Sequence, residues 1–333
     1  MVRAIVKQIA LWCRGVLLLW SLTRHSRGRA AGTNVPHWTS RNWAEDVRVL
    51  VRGDVNVRYL DYGTGPTLVL LHGMGCCWQW WLECIPTLAL TNRVIAIDTP
   101  GFGDSSRLPG PVFMRDYAKV VADVLADAGA PGGTLVGHSM GGLIAIEVAQ
   151  RYPELVDDLV LMDSGGVPMS ERRLEIVLAA LRGARLAFSN PVTIRLLVAS
   201  RLARRIFLRG AMRDPDAMSD ELAAVVVPKL GAPGFPEAIT SSAIAVRDCE
   251  PEAIEQPTLL IWGECDMFAP LQTAQDMVAR LPNGRIETIP GVGHSPLVEA
   301  PEDVCRFIQD RKSAVAADGS TTASVVNHRE ARR

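Results

Sequence analysis

The segment Gly137-His138-Ser139-Met140-Gly141-Gly142 constrains this chain more than any other. An apolar run, Thr134–Val136, leads straight into it, and a helical pattern from Met140 to Arg151 leads straight out. A strand that becomes a helix within one residue strains the backbone and crowds the neighbouring positions, so those positions need small residues. Glycines at 137, 141 and 142 meet that need. A serine at such a turn presents its hydroxyl, and the N–H groups of the helix start point at any negative charge that develops beside it. The segment therefore reads as a nucleophile, Ser139, on a strand–turn–helix.

A serine hydroxyl needs a base. Of six histidines, His25, His37 and His328 belong to the terminal segments. His138 sits inside the turn, where its side chain diverges from its neighbour's, and His72 precedes a glycine at the end of an earlier apolar run. His294 lies in Gly291-Val292-Gly293-His294-Ser295-Pro296, just after the last strand-like run. A loop at that place can reach Ser139 from the side, so His294 is the candidate general base; alone, it would read as a structural histidine. The base needs a carboxylate to fix its tautomer, and Asp266 follows the run Thr258–Trp262. Asp163, after the preceding run, is the reserve candidate, and Glu264 is a weaker third.

Short apolar runs bounded by Gly, Pro or Asp read as strands: Val47–Val51, Val55–Tyr59, Thr67–Leu71, Val94–Ile97, Thr134–Val136, Leu159–Met162, Thr258–Trp262 and Ile286–Ile289. From the third onward, helical patterns separate them, among them Asp116–Ala128, Leu271–Leu281 and Pro301–Lys312. This alternation predicts an α/β protein with a mostly parallel eight-stranded sheet covered by helices. Arg52-Gly53-Asp54 is short enough to join the first two runs as an antiparallel hairpin. The core is expected over 45–163 and 257–312. Between them, 164–256 reads as helical, interrupted at Pro191, Pro215, Pro228 and Gly231–Pro236, and is expected to form a lid over the strand C-terminal ends. Residues 313–333 read as a disordered tail.

The 333 residues carry 35 Lys and Arg against 36 Asp and Glu, a net charge of −1 that gives no electrostatic footprint for nucleic acid. Seven cysteines, an odd number with no CxxC pair or Cys/His cluster, argue for reduced, mostly buried thiols rather than a disulfide framework or a zinc site. Cys76-Cys77, near the expected site, reads as packing. The sequence displays no P-loop, dinucleotide fingerprint or metal-ligand set, and no cofactor is expected.

The body from about Asp46 to Lys312 resembles the α/β-hydrolase superfamily, in its lidded esterase and carbon–carbon hydrolase branch. The matching segments, in order, are His72-Gly73-Met74-Gly75, Asp98 to Ser105, the turn at Ser139, the Asp266 segment and Gly293-His294-Ser295-Pro296. The order Ser139, Asp266, His294 is that of the superfamily. The resemblance implies an oxyanion hole from the N–H groups of Met74 and Met140, and a structural turn without chemistry over Asp98–Ser105. It implies acyl transfer to water through an acyl-enzyme, and the first reading is an ester hydrolase for small or medium apolar acyl groups. Branches that open epoxides or remove halides use an aspartate nucleophile, and position 139 is serine. Meta-cleavage hydrolases usually carry Asn before the nucleophile and Trp after the base. Here those positions hold His138 and Ser295, which leaves a carbon–carbon hydrolase as second reading. A non-catalytic ligand-binding protein on the same fold is a third, and an acyltransferase also fits. Oligomeric state is not encoded legibly.

Charge is distributed unevenly. Residues 1–44 contain no acid and seven cations, and Ile5–Leu22 is apolar but for Lys7 and Arg14, two helical turns apart. An interfacial amphipathic anchor, an uncleaved signal anchor, a transit peptide and an ordinary helix folded onto the body all fit; basic and aromatic flanks favour attachment to a membrane surface. Between Ile176 and Arg213 eight arginines stand without an acid. Arg201, Arg205 and Arg209 recur every four residues beside an apolar stripe of Leu197, Val198, Leu202 and Ile206. A solvated basic face on a lid helix is one reading. The other is peripheral contact with an anionic bilayer through residues 1–30 and the basic lid, which makes the protein membrane-associated rather than simply cytoplasmic.

Overall fold

The computed structural model describes residues 35–166 and 170–311. The expected N-terminal anchor (residues 1–30), the tail and Cys13 lie outside the described residues.

Eight strands form one sheet: β1 Val47–Arg52, β2 Val55–Gly63, β3 Thr67–Leu71, β4 Arg93–Ile97, β5 Gly133–His138, β6 Val156–Met162, β7 Thr258–Gly263 and β8 Gly284–Ile289. Their spatial order is β1-β2-β4-β3-β5-β6-β7-β8. β1 and β2 pair antiparallel across the tight turn at Gly53, β2 runs antiparallel to β4, and every later pairing is parallel. The central strands are apolar on both sides because both faces are covered. Val69, Leu71, Leu135, Leu161 and Trp262 pack into one buried cluster. Leu68, Leu70, Val136, Met162 and Ile261 pack into the other.

Helices α1 Met114–Asp127 and α2 Met140–Arg151 cover the first face, and the terminal helix Pro301–Asp310 covers the second. Helix α1 begins two residues before the expected Asp116. Its Asp116 is the third helical residue and accepts the Phe113 N–H at 2.8 Å, closing the helix start from within. The body also begins earlier than residue 45, because Trp38 and Trp43 are buried in the second cluster and Trp38 O accepts the Trp43 indole N–H at 2.7 Å. Cys76, Cys77, Cys84, Cys249 and Cys305 are buried free thiols.

The segment between β6 and β7 is helical: α3 Glu171–Phe188, α4 Pro191–Ala199, α5 Arg201–Phe207, α6 Asp220–Val226 and α7 Phe235–Asp248. Proline interruptions act here as helix starts. Pro191 opens α4 behind Asn190, whose side chain accepts the Val192 N–H at 2.8 Å. The single basic stripe suggested by Arg201, Arg205 and Arg209 does not form on one helix. α5 ends at Phe207, before Arg209, and Ser200, in extended conformation, caps α5 and sets Leu197 and Val198 on a different helix from Leu202 and Ile206. Two members of the stripe are also paired, Arg201 with Asp220 at 2.9 Å and Arg205 with Asp216 at 2.6 Å. Arg204 is buried, donating to Leu197 O at 3.0 Å and to Asp220. Among the described residues no helix is long and apolar enough to cross a membrane.

Candidate active site

The parallel strands deliver their C-terminal ends to one edge of the sheet, where ligands of such sheets bind. Ser139 follows β5, Asp163 follows β6, Asp266 lies three residues past β7, His294 lies five past β8 and Met74 three past β3. The turn at Ser139 is strained as its sequence requires. Ser139 has φ +53°, and a Cβ on Gly137 would sit 2.3 Å from the Gly141 carbonyl oxygen and 2.5 Å from the Gly142 Cα. Backbone cannot yield as a side-chain tip can. The Gly137→Ala variant is therefore expected to lose about 3 kcal/mol of stability, read as a lowered denaturant midpoint at unchanged slope.

The side chains then meet in line. His294 Nε2 lies 3.0 Å from Ser139 Oγ, and His294 Nδ1 lies 2.7 Å from Asp266 Oδ2. Asp266 Oδ1 accepts the backbone N–H groups of Phe268 at 2.7 Å and Ala269 at 3.1 Å. Burial opposes charge on Asp266, but the facing His294 ring, followed by the Ala269 N–H, outweighs it and holds the carboxyl below its usual range. With Nδ1–H bound to Asp266, Nε2 is left as an acceptor for the serine proton, so the arrangement can pass a proton from hydroxyl to ring. Met140 is the first helical residue after the turn and Met74 lies in the loop after β3; neither backbone N–H has a partner among the described residues.

The other histidines hold the site together. His72 is fully buried, with Nδ1–H donating to Gly73 O at 2.8 Å and Nε2 accepting the Thr99 N–H at 3.1 Å, so both nitrogens are occupied away from Ser139. Burial lowers its pKa to about 4, which keeps it neutral. His138 Nε2 donates to the His294 carbonyl oxygen at 2.6 Å, and burial followed by the His294 ring lowers its pKa to about 3. It thus anchors the loop that carries the base, a contact spanning 156 residues of chain with no local sequence signal. Glu299 clasps the same loop, accepting the Gly293 N–H at 3.1 Å and the Asp214 N–H at 2.8 Å.

The candidate acids separate clearly. Glu264 is exposed and accepts the Gly291 N–H at 3.2 Å, away from His294. Asp266 makes the contact with His294. Asp163 is buried beside it, so the reserve candidate is a neighbour rather than a rival. Asp98 has no part in this line: it accepts the Trp78 and Asp104 N–H groups at 2.7 and 2.8 Å and shapes its own turn.

A mainly parallel eight-stranded sheet with a serine on the turn after β5 and a histidine loop after β8 defines the α/β-hydrolase fold. The Alpha/beta hydrolase family model matches residues 68–307, and the chain belongs to that family. The chain is 30% identical over 278 residues to the 2-hydroxymuconate semialdehyde hydrolase of Pseudomonas sp. (strain CF600), covering 78% of this chain and 91% of that protein. Among solved structures it is similar to a putative lipase from Acinetobacter baumannii AYE, with TM-score 0.68 and 24% identity, covering 86% of this chain and all of that one. A membrane phospholipase A matches with TM-score 0.66 and 27% identity over 96% of this chain and all of the other.

Proposed function

We propose that this protein is a serine hydrolase that cleaves the ester bond of an apolar acyl substrate, with Ser139 as nucleophile, His294 as general base and acid, and Asp266 orienting the base. The observation that carries this reading is the unbroken line Ser139 Oγ, His294, Asp266 at 3.0 and 2.7 Å. Ser139 Oγ attacks the acyl carbon as His294 Nε2 takes its proton. The oxyanion forms against the N–H groups of Met74 and Met140. His294 then protonates the departing alkoxide, and water, activated by the same ring, releases the acid.

Helices α3 to α7 act in this proposal as a lid that meets lipid. Their outer surface exposes Ile176, Leu186, Val192 and Leu202 at 61, 71, 60 and 62%. Arg182, Arg185 and Arg195 stand exposed among them, with no acidic partner in the described structure. Apolar side chains ringed by arginines suit the headgroup boundary of an anionic bilayer, from which an acyl chain would enter. No cofactor takes part in the proposed steps.

A carbon–carbon hydrolase is the second reading, favoured by Arg173. Its Nη2 donates to Met267 O at 3.2 Å, one residue before Phe268, whose ring lies 5.2 Å from that of His294. Its Nε is buried without a partner, a donor suited to a carboxylate on a small anionic substrate.

One set of assays separates the readings. Acyl esters from acetyl to palmitoyl and a dienoate ketone bearing a carboxylate are offered to the same preparation, with phosphatidylglycerol or phosphatidylcholine vesicles. The ester reading expects turnover that rises with acyl length, and co-sedimentation with phosphatidylglycerol only. Turnover of the ketone alone, abolished in Arg173→Gln, would replace it with the second reading.

A further inference from the structure

Asp163 is a buried carboxyl beside the Ser139–His294–Asp266 line that the proposed steps leave unused. Strand pairing puts it there. Met162 of β6 stands opposite Ile261 of β7, the Asp163 N–H donates to Ile261 O at 3.1 Å, and the Gly263 N–H donates to Asp163 Oδ1 at 3.0 Å. The residue is held at φ +43°, a left-handed conformation costly for any side chain but glycine, asparagine or aspartate. It is completely buried, and its Oδ2 receives no N–H or O–H donor from the described structure. One oxygen of Asp163, one of Asp266 and one ring nitrogen of His294 all lie within 4.8 Å of one another.

Two carboxylates this close and out of water cannot both ionise. The donors decide which one does. Asp266 has two backbone N–H groups on Oδ1 and the His294 ring on Oδ2, whereas Asp163 has the single Gly263 N–H. We infer that Asp163 is a neutral carboxylic acid whose Oδ2–H donates to the Asp266 carboxylate, making it a positioning residue for the Asp266–His294 pair. This rests on the reading of Asp266 as the acid of the proposed mechanism. The directions of titration agree. Burial, and then the Asp266 charge, hold Asp163 well above the usual carboxylate range, while Asp266 is held below it.

The consequence falls on His294. A second anion at this place would strengthen the hold of the ring on its proton and leave Nε2 protonated near neutral pH, unable to act as base. A neutral donor fixes the Asp266 oxygen without adding charge. The other titratable groups around the pair are His138, which faces His294 and is kept neutral, and Glu299, whose carboxyl is raised by burial and clasps the His294 loop.

The test uses Asp163→Asn and Asp163→Ala in the full chain. Asparagine can accept from Gly263 N–H through its oxygen and donate to Asp266 through its nitrogen, without a titratable proton. For Asp163→Asn we expect kcat/KM within about threefold of the wild type and an acid limb of the pH profile unmoved within about 0.3 unit. For Asp163→Ala we expect kcat to fall by about tenfold to a hundredfold at little change in KM, because a charge-assisted hydrogen bond is lost.

A stability measurement needs no substrate. In the unfolded chain an aspartate ionises near pH 3.9. In the folded chain Asp163 stays neutral well above that, so a raised folded pKa makes its contribution to stability fall as pH rises from about 4. Asparagine has no such dependence. The melting temperature of Asp163→Asn minus that of the wild type should therefore grow as pH rises above about 4, and stop growing only where the folded Asp163 ionises. A difference that is flat above pH 5 would show Asp163 ionised and overturn the inference. So would an acid limb lowered by a unit or more in Asp163→Asn, or wild-type kcat and pH profile in Asp163→Ala. Failure of the wild type to label at Ser139 with a fluorophosphonate would sink the hydrolase mechanism instead, leaving the stability difference to report on Asp163 alone.

Discussion

Ser139→Ala is expected to remove turnover by a factor on the order of 10⁵ while leaving the fold intact. Among the described residues the hydroxyl makes one side-chain hydrogen bond, to His294 Nε2, so its loss leaves no other described group without a partner. The strained φ of +53° is carried equally by alanine, and the glycines that permit the turn are untouched. His294 remains fastened through Nδ1 to Asp266 and through its carbonyl oxygen to His138. Melting should thus shift by no more than about 2 °C, the change of a surface-sized perturbation in a domain this large. Fluorophosphonate labelling should vanish in the same variant. Equal labelling of wild type and variant would place the nucleophile on another serine, and retained ester turnover would remove the covalent mechanism altogether.

The legible parts of this protein are those encoded locally. The glycines around Ser139 announce the turn because none has room for a Cβ: one on Gly137 would meet the backbone of Gly141, one on Gly141 the Leu71 carbonyl oxygen, and one on Gly142 the Ser164 side chain. The seven strands other than β5 could be read because Gly, Pro or Asp bounds most of the apolar runs. Where polar residues enter a strand, reading stops short. β6 begins at Val156 rather than Leu159, because Asp158 is satisfied from outside the strand, by Thr134 Oγ1 at 2.9 Å and Arg311 Nε at 2.9 Å. Nothing in the local pattern predicts those partners. The break at Ser200 was hidden for the opposite reason: the apolar spacing from Leu197 and Val198 to Leu202 continues the helical period through a residue that caps a new helix. Order along the chain brought Ser139, Asp266 and His294 forward as candidates. The support beneath them, His138 on the His294 carbonyl and Asp163 beside Asp266, depends on which strand ends lie side by side. That information belongs to the sheet order.

Asp266→Asn should cost on the order of 10⁴ in kcat, nearly as much as loss of the nucleophile, although it changes one atom. The reason lies in the two backbone donors. Phe268 and Ala269 both point N–H groups at Oδ1, so the asparagine must keep its oxygen there and turn its NH₂ toward His294. The ring then meets a donor where it had an acceptor at 2.7 Å, and the favoured tautomer moves its proton from Nδ1 to Nε2. Nε2–H faces Ser139 Oγ and cannot take the serine proton. The carboxamide would also leave Asp163 without an anion to donate to, so its reason to stay neutral weakens and its pKa should fall toward the ordinary carboxylate range. Unlike Ser139→Ala, this variant should still label slowly with a fluorophosphonate. Its rate should rise with pH as hydroxide replaces the missing base, without the plateau of the wild type. A wild-type pH profile in Asp266→Asn would mean that Asp163 can serve His294 in its place. The double variant Asp163→Asn, Asp266→Asn would then lose the activity that either single variant keeps.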